Sequence, residues 1–203
     1  MIAVIDYGVG NLFSVEKALS AIGAEVEVTR DGARIQSAEK ILLPGVGAFG
    51  DCMKNLEATG LIPLLKEEAE KGKPLLGICV GLQILFEGSE ESPGVSGLGI
   101  LPGMVRKIHA PGLKIPHMGW NSLAVKERAG LWEGLGDSPY VYFVHSYHAV
   151  PEDPAIITAT ASYGEELTAA VANGNILATQ FHPEKSGDVG LKILQNFVSQ
   201  SQS

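Results

Sequence analysis

Apolar side chains recur along this chain in two distinct rhythms. Ile2-Ala3-Val4-Ile5, Ile41-Leu42-Leu43 and Leu75-Leu76-Gly77-Ile78 are short apolar runs that end at a polar residue or at a turn rich in glycine and proline. Runs of this length predict strands buried on both faces, as in a parallel sheet. Leu12, Val15, Leu19 and Ile22 recur at helical spacing before Gly23, and Leu61, Leu64, Leu65 and Ala69 do so again. Val26 and Val28 alternate with Glu25 and Glu27, and Leu82 to Phe86 follows the third apolar run as a further helix. Strand and helix in alternation imply an α/β fold with a mostly parallel central sheet flanked by helices.

The rhythm changes after residue 88. Turns rich in Gly and Ser separate shorter predicted strands at 122–125, 140–144 and 155–161, and a pair at 168–172 and 176–181 flanks Asn173-Gly174, a strong hairpin signal. The second half therefore adds antiparallel strands. Leu191, Leu194 and Val198 predict a last amphipathic helix, with Asp188 near its start to suit the helix dipole. With no linker, repeat or charge block, residues 1–203 read as a single domain.

Composition narrows the function classes. At 45% hydrophobic and 19% charged residues the chain is that of an ordinary folded protein, and a net charge of −8 gives it no reason to bind nucleic acid or anionic membranes. The apolar N-terminus meets Asp6 at once and no uncharged run approaches bilayer length, so a soluble, cytoplasmic protein is expected. Cys52 and Cys79 are too few for a disulfide framework and lack zinc-ligand spacing, and His145 and His148 have no carboxylate or thiol spacing to make a metal site. Free thiols and no metal are expected.

Three segments carry chemistry. Gly77-Ile78-Cys79-Val80-Gly81 places a sulfur where a strand passes into a helix, in a G-x-nucleophile-x-G elbow. In Phe181-His182-Pro183-Glu184, proline biases His182 toward an extended conformation, so that residues two apart face the same side and a carboxylate can orient the imidazole. Together the carboxylate and the imidazole activate the cysteine as a nucleophile, and the imidazole can later protonate an amine leaving group. Leu43-Pro44-Gly45-Val46-Gly47 is a strand end followed by a turn whose glycines let backbone N–H groups approach a ligand, and the elbow amide of Val80 is the second expected oxyanion donor.

Through GICVGLQ at 77–83, LPGVGAF at 43–49 and FHPEKS at 181–186, the sequence resembles the class I (triad) glutamine amidotransferases over nearly its whole length. DYGVGNL (6–12), PHMGWN (116–121) and FVHSYH (143–148) make it most similar to the branch that serves as glutaminase of imidazole glycerol phosphate synthase. The resemblance implies that fold and a Cys79, His182, Glu184 triad that hydrolyses glutamine through a thioester, without a cofactor. It implies glutamine contacts from Gly45, Gln83, Ser146 and Tyr147, and an oxyanion hole from Val80 and Val46, the latter completed when its amide turns over. It further implies a heterodimer with a (β/α)8 barrel cyclase that consumes the ammonia, with Asn11, Trp120 and Lys185 at the interface.

Other readings are weaker. Gly8-Val9-Gly10 follows a strand, but Phe13 stands where a dinucleotide-binding loop has its third glycine. A glutaminase of pyridoxal phosphate or anthranilate synthase, or a non-catalytic scaffold of the same fold, remain as alternatives. PGVG, PHMGWN and FVHSYH weigh against the former, and the intact triad against the latter.

Overall fold

The computed structural model describes residues 1–200. Strands Ile2–Ile5 (β1), Val26–Thr29 (β2), Lys40–Leu43 (β3) and Leu75–Ile78 (β4) are separated by helices Leu12–Ala21 (α1), Gly32–Ser37 (α2), Phe49–Ala58 (α3) and Ile62–Glu70 (α4). A short helix, Val80–Gln83 (α5), follows β4 directly. Then come Gly88–Ser89 (β5), Gly103–Lys107 (β6), His117–Ser122 (β7), Ala124–Val125 (β8), Tyr140–His145 (β9), Tyr147–Pro151 (β10), Ile157–Tyr163 (β11), Glu165–Asn173 (β12) and Ile176–Thr179 (β13). Helix Gly187–Ser199 (α6) closes the described chain.

The main sheet has the order β2-β1-β3-β4-β13-β12-β11-β8. Its first five strands are mutually parallel, and β12, β11 and β8 continue it antiparallel. The apolar runs of β1, β3 and β4 lie at the centre of this sheet, where every residue of each strand is buried. That double-sided burial is why they read as continuous apolar segments. The Asn173-Gly174 hairpin forms as expected, with Asn173 opposite Ile176. Its return strand, β13, then slots beside β4 in parallel, pairing Thr179 with Ile78.

Several expected boundaries move. The single strand at 122–125 is divided, because Leu123 is buried and bonds Pro139 O (2.9 Å) where the chain leaves one sheet for another. β7 pairs with β9 in a two-stranded ribbon, while β8 forms the edge of the main sheet. The strand expected from 155 starts at Ile157, since Pro154 opens a 3-10 turn capped by the Asp153 carboxylate. The helix expected over 82–86 ends at Gln83. Past that point the carbonyls of Ile84, Leu85 and Phe86 accept from Leu98, Leu101 and Gly99, an external pairing that replaces the next helical turn. The strand expected to 181 ends at Thr179. Helices α2 and α3, strands β5, β6 and β10 and all but the end of β7 lie outside the segments expected from sequence, although Phe49, Cys52, Met53 and Leu56 of α3 form a helical apolar stripe.

This topology decides where chemistry can sit. In open sheets with parallel strands, ligands bind beyond the carboxyl ends of those strands. The neighbours β1, β3, β4 and β13 release Tyr7–Asn11, Pro44–Gly47, Cys79 and Gln180–Glu184 from the same edge, so residues distant in sequence are side by side. No helix among the described residues is long and apolar enough to cross a membrane.

Candidate active site

The elbow is built by steric necessity. Cys79 has φ 56°, ψ −114°, and among the described residues it is the one non-glycine residue with positive φ. Such strain persists only where the surroundings over-determine it. Here the Cys79 amide donates to Thr179 O of β13 at 2.8 Å, and the flanking glycines sit where a side chain would strike neighbouring backbone. A Cβ on Gly77 would stand 2.8 Å from Gly81 O, and one on Gly81 would stand 2.0 Å from Leu43 O. Gly81→Ala therefore pushes β3 and the elbow apart. Unfolding in urea should show a loss of about 3 kcal/mol or more, and a loss below about 1 kcal/mol would show that the elbow tolerates the added methyl group.

The FHPE segment is held as firmly. His182 N–H donates to Tyr142 O of β9 (3.0 Å), and its carbonyl accepts from Ser186 Oγ (2.6 Å), which in turn receives Tyr142 N–H (2.9 Å). His182 Nδ1 meets Glu184 Oε1 at 2.7 Å, both side chains being almost fully buried. A carboxylate on Nδ1 fixes the proton there in the neutral ring and turns Nε2 toward the sulfur. Nε2 has no hydrogen-bond partner of normal geometry, and the second Glu184 oxygen is likewise buried and unpaired. Burial opposes charge on the imidazole, but the adjacent Cys79 and Glu184 outweigh it and raise the His182 pKa to about 9. The sulfur, the ring and the carboxylate expected from sequence to act together thus converge.

They open onto a cleft of about 660 Å³ whose lining includes Val46, Gln83, Ser146, Tyr147, Asn11 and Lys185, all named from sequence. Gly45 lies beneath this surface instead. Its carbonyl accepts the Val80 N–H at 3.2 Å, so the elbow amide is engaged by the neighbouring loop, and a Cβ at 45 would strike Gly81 N at 2.6 Å. Trp120 lies outside the cleft on the exposed face of β7, against Tyr142 with ring centroids 6.2 Å apart. Lys185 Nζ stands 6.0 Å above the same Tyr142 ring. The Asn11 side chain accepts from Ser14 N and so also caps α1.

Sequence reading left out two parts of the site. Gln180 is fully buried and spans from Gln83, whose Nε2 donates to its Oε1 (3.1 Å), to the Cys79 sulfur, 3.8 Å from its Nε2. Its position two residues before His182 in an extended segment was the available signal. The second part is a histidine pair. His145 lines the cleft, its Nδ1 bonds Tyr147 O (2.8 Å) and its Nε2 meets His117 Nδ1 (2.8 Å). Burial pushes His117 down to about 4 and His145 down to about 3. Both rings are therefore neutral near pH 7, with the Tyr147 carbonyl setting the tautomers: Nδ1–H of His145 donates to it, and His117 donates to His145. Gln83 Nε2 also donates to Tyr147 O (3.1 Å), so this carbonyl joins the histidine pair to the glutamine pair.

Residues 3–201 match the family of class I glutamine amidotransferases. The chain is 50% identical to the imidazole glycerol phosphate synthase subunit HisH of Moorella thermoacetica, over 97% of this chain and 93% of that protein. It is 53% identical to HisH of Bacillus cereus, with 97% and 93% covered, and 51% identical to HisH of Thermosynechococcus vestitus, with 98% and 96% covered. Among solved structures, a glutamine amidotransferase superposes with TM-score 0.76 at 23% identity, covering 98% of this chain and all of that one, which shows the shared fold. With the elbow, the imidazole and its carboxylate on one strand edge, and half of all residues shared with these relatives, the chain belongs to the class I glutamine amidotransferase family and, within it, to the HisH subunits of imidazole glycerol phosphate synthase.

Proposed function

We propose that residues 1–203 form one glutaminase domain that supplies ammonia to a cyclase subunit of imidazole glycerol phosphate synthase. The observation that carries the chemistry is the buried His182–Glu184 pair at 2.7 Å beside the strained Cys79. His182, charged below about pH 9, holds a proton on Nε2 as the Cys79 sulfur attacks the side-chain amide carbon of glutamine. The tetrahedral intermediate collapses, the C–N bond breaks, and the same proton goes to the departing nitrogen to give ammonia and a glutamyl thioester. Water, deprotonated by the now neutral His182, then attacks the thioester, releasing glutamate and restoring the free Cys79 sulfur beside a protonated His182. Glu184 holds the imidazole and stabilises its charged form throughout.

Gln83, Ser146 and Tyr147 face the cleft where glutamine has to bind, and Gly45 shapes its floor. The oxyanion site needs the Val80 amide, which the Gly45 carbonyl now covers. In a trans peptide the N–H points opposite the C=O. Turning the Gly45–Val46 peptide over therefore releases Val80 N–H and, in the same motion, brings Val46 N–H to the side the carbonyl vacates. One rotation supplies both donors, so hydrolysis is slow until a signal turns the loop.

That signal comes from the partner. Met118 and Trp120 alternate on the outer face of β7, opposite Val144 and Tyr142 of β9, with Tyr140 beyond. Met118, Trp120 and Tyr140 are 62%, 57% and 59% exposed, an apolar face at the rim of the cleft. Trp120 anchors the cyclase, while Asn11 and Lys185 contact it from the rim. Ammonia released into bulk water would protonate and lose nucleophilicity, which is why the acceptor site must abut the cleft.

The test is glutamate release by the chain alone, with the cyclase, and with cyclase plus its acceptor ribonucleotide. Strong stimulation only in the last two mixtures is expected. Trp120→Ala should weaken heterodimer affinity by about 30-fold, equivalent to about 2 kcal/mol. Glutamine turnover indifferent to the cyclase would remove the assignment.

A further inference from the structure

Three consecutive carbonyls of the loop after β3 are each held by a donor from a different element. Pro44 O accepts from the Tyr7 hydroxyl at 2.5 Å, Gly45 O from Val80 N at 3.2 Å, and Val46 O from Cys52 Sγ at 3.3 Å. Tyr7 follows β1, Val80 opens α5 and Cys52 lies one turn into α3. Tyr7 and Cys52 are both buried, Cys52 completely. Neither borders the cleft, and neither takes part in the hydrolysis described above.

The arrangement has a mechanical meaning. Reversal of the Gly45–Val46 peptide is a rotation about ψ of residue 45 and φ of residue 46. It moves the Gly45 carbonyl and the Val46 amide while the peptides on either side can stay in place. Those two peptides present the Pro44 and Val46 carbonyls, the ones that Tyr7 and Cys52 grip. The middle bond, to Val80, is the one that must break. We infer that Tyr7 and Cys52 are positioning residues that clamp both ends of the oxyanion peptide, so that activation turns this one peptide and delivers the Val46 amide to a fixed place.

The chemistry of the two groups suits the task. Burial raises the Tyr7 hydroxyl pKa well above its ordinary value, an effect the nearby Cys52 adds to, and burial pushes the Cys52 thiol up to about 11. Both keep their protons at neutral pH and remain donors. Tyr7 also limits the loop laterally, since its hydroxyl would stand 2.9 Å from a Cβ on Gly45. An oxyanion donor stabilises the transition state only if it is fixed before charge develops, so loosening its supports lowers turnover and spares ground-state binding.

This inference rests on the glutaminase reading, and the experiment separates the two. Wild type, Tyr7→Phe, Cys52→Ala and Cys52→Ser are assayed in complex with the cyclase and its acceptor ribonucleotide. Rates are expressed per active site titrated with a chloroketone analogue of glutamine, and melting temperatures are measured in parallel. Tyr7→Phe and Cys52→Ala should each lower kcat about tenfold or more with KM within about twofold of wild type. Cys52→Ser, whose hydroxyl can still donate to Val46 O, should recover most of the loss. Unchanged kcat per titrated site in Tyr7→Phe and Cys52→Ala overturns the clamp, whatever happens to the melting temperature. So does a serine variant no better than alanine. If Cys52→Ala fails to fold, Tyr7→Phe decides alone by the same criterion. A wild-type complex that does not hydrolyse glutamine removes the glutaminase reading itself, and the clamp with it.

Discussion

Cys79→Ala will leave a folded subunit that still binds the cyclase but hydrolyses glutamine at least about 10⁴-fold more slowly, since losing a nucleophile from a concerted triad removes nearly all of its rate enhancement. The substitution deletes one sulfur atom and little else. Alanine has no more difficulty than cysteine at φ 56°, and the sulfur's polar neighbours are the His182 ring and, at a long 3.8 Å, Gln180 Nε2. The second thiol cannot substitute for the first. Cys52 is fully buried outside the cleft, bonds Val46 O and is held protonated by a pKa pushed up to about 11. Steady-state assay of the complex, with mass spectrometry to show the absence of a glutamyl adduct, checks this. Residual turnover above about 1% of wild type would require another nucleophile.

Glu184→Gln should be the next most damaging change, because it keeps shape and removes charge. The wild-type carboxylate lies 2.7 Å from His182 Nδ1, and its other oxygen is buried without a partner. Glutamine can present its amide N–H to Nδ1, which favours the wrong tautomer, and it offers nothing to stabilise the imidazolium. A kcat loss of up to about 10⁴-fold is expected by analogy with the carboxylate-to-amide change in the serine protease triad. The pH dependence identifies the cause. His182 opposes its own burial through Cys79 and Glu184 and keeps its proton up to about pH 9. Because this folded pKa lies above the unfolded value near 6.5, its contribution to stability is complete below about pH 6.5 and is lost as pH rises through about 9. The alkaline limb of the rate and the fall of the melting temperature should therefore both lie near pH 9 in wild type, and both should move to lower pH in Glu184→Gln. An unmoved limb would assign the titration to another group.

The parts of this site that could be read in advance share one property: their geometry is local. The elbow is legible because a strained turn needs glycine at 77 and 81, and HPE because proline extends the chain on either side of a two-residue spacing. The buried runs of β1, β3 and β4 are legible because double-sided burial leaves no polar position. What escaped depends on partners far along the chain. The pairing of residues 84–86 with residues 98–101 cuts α5 short, and nothing in Leu82 to Phe86 announces it. Leu123 looks like mid-strand until the separate β7–β9 ribbon gives it a different neighbour on each side. Gln180, His117 and Tyr7 are ordinary polar residues by type, and burial together with a specific acceptor gives each its significance. The Gly45 carbonyl on Val80 N–H is a matter of which way one peptide faces, and no residue identity encodes that.

The insertion of β13 between β4 and β12 carries a consequence for synthesis. During translation the nucleophile emerges more than halfway before its base does, and the place beside β4 that orders the base is filled only when the hairpin returns after Asn173-Gly174. A growing chain on the ribosome, or a fragment clipped anywhere before residue 184, therefore carries a thiol with no proton acceptor aligned to it. The order of the strands along the chain thus makes the base and its carboxylate the last parts of the triad to be put in place.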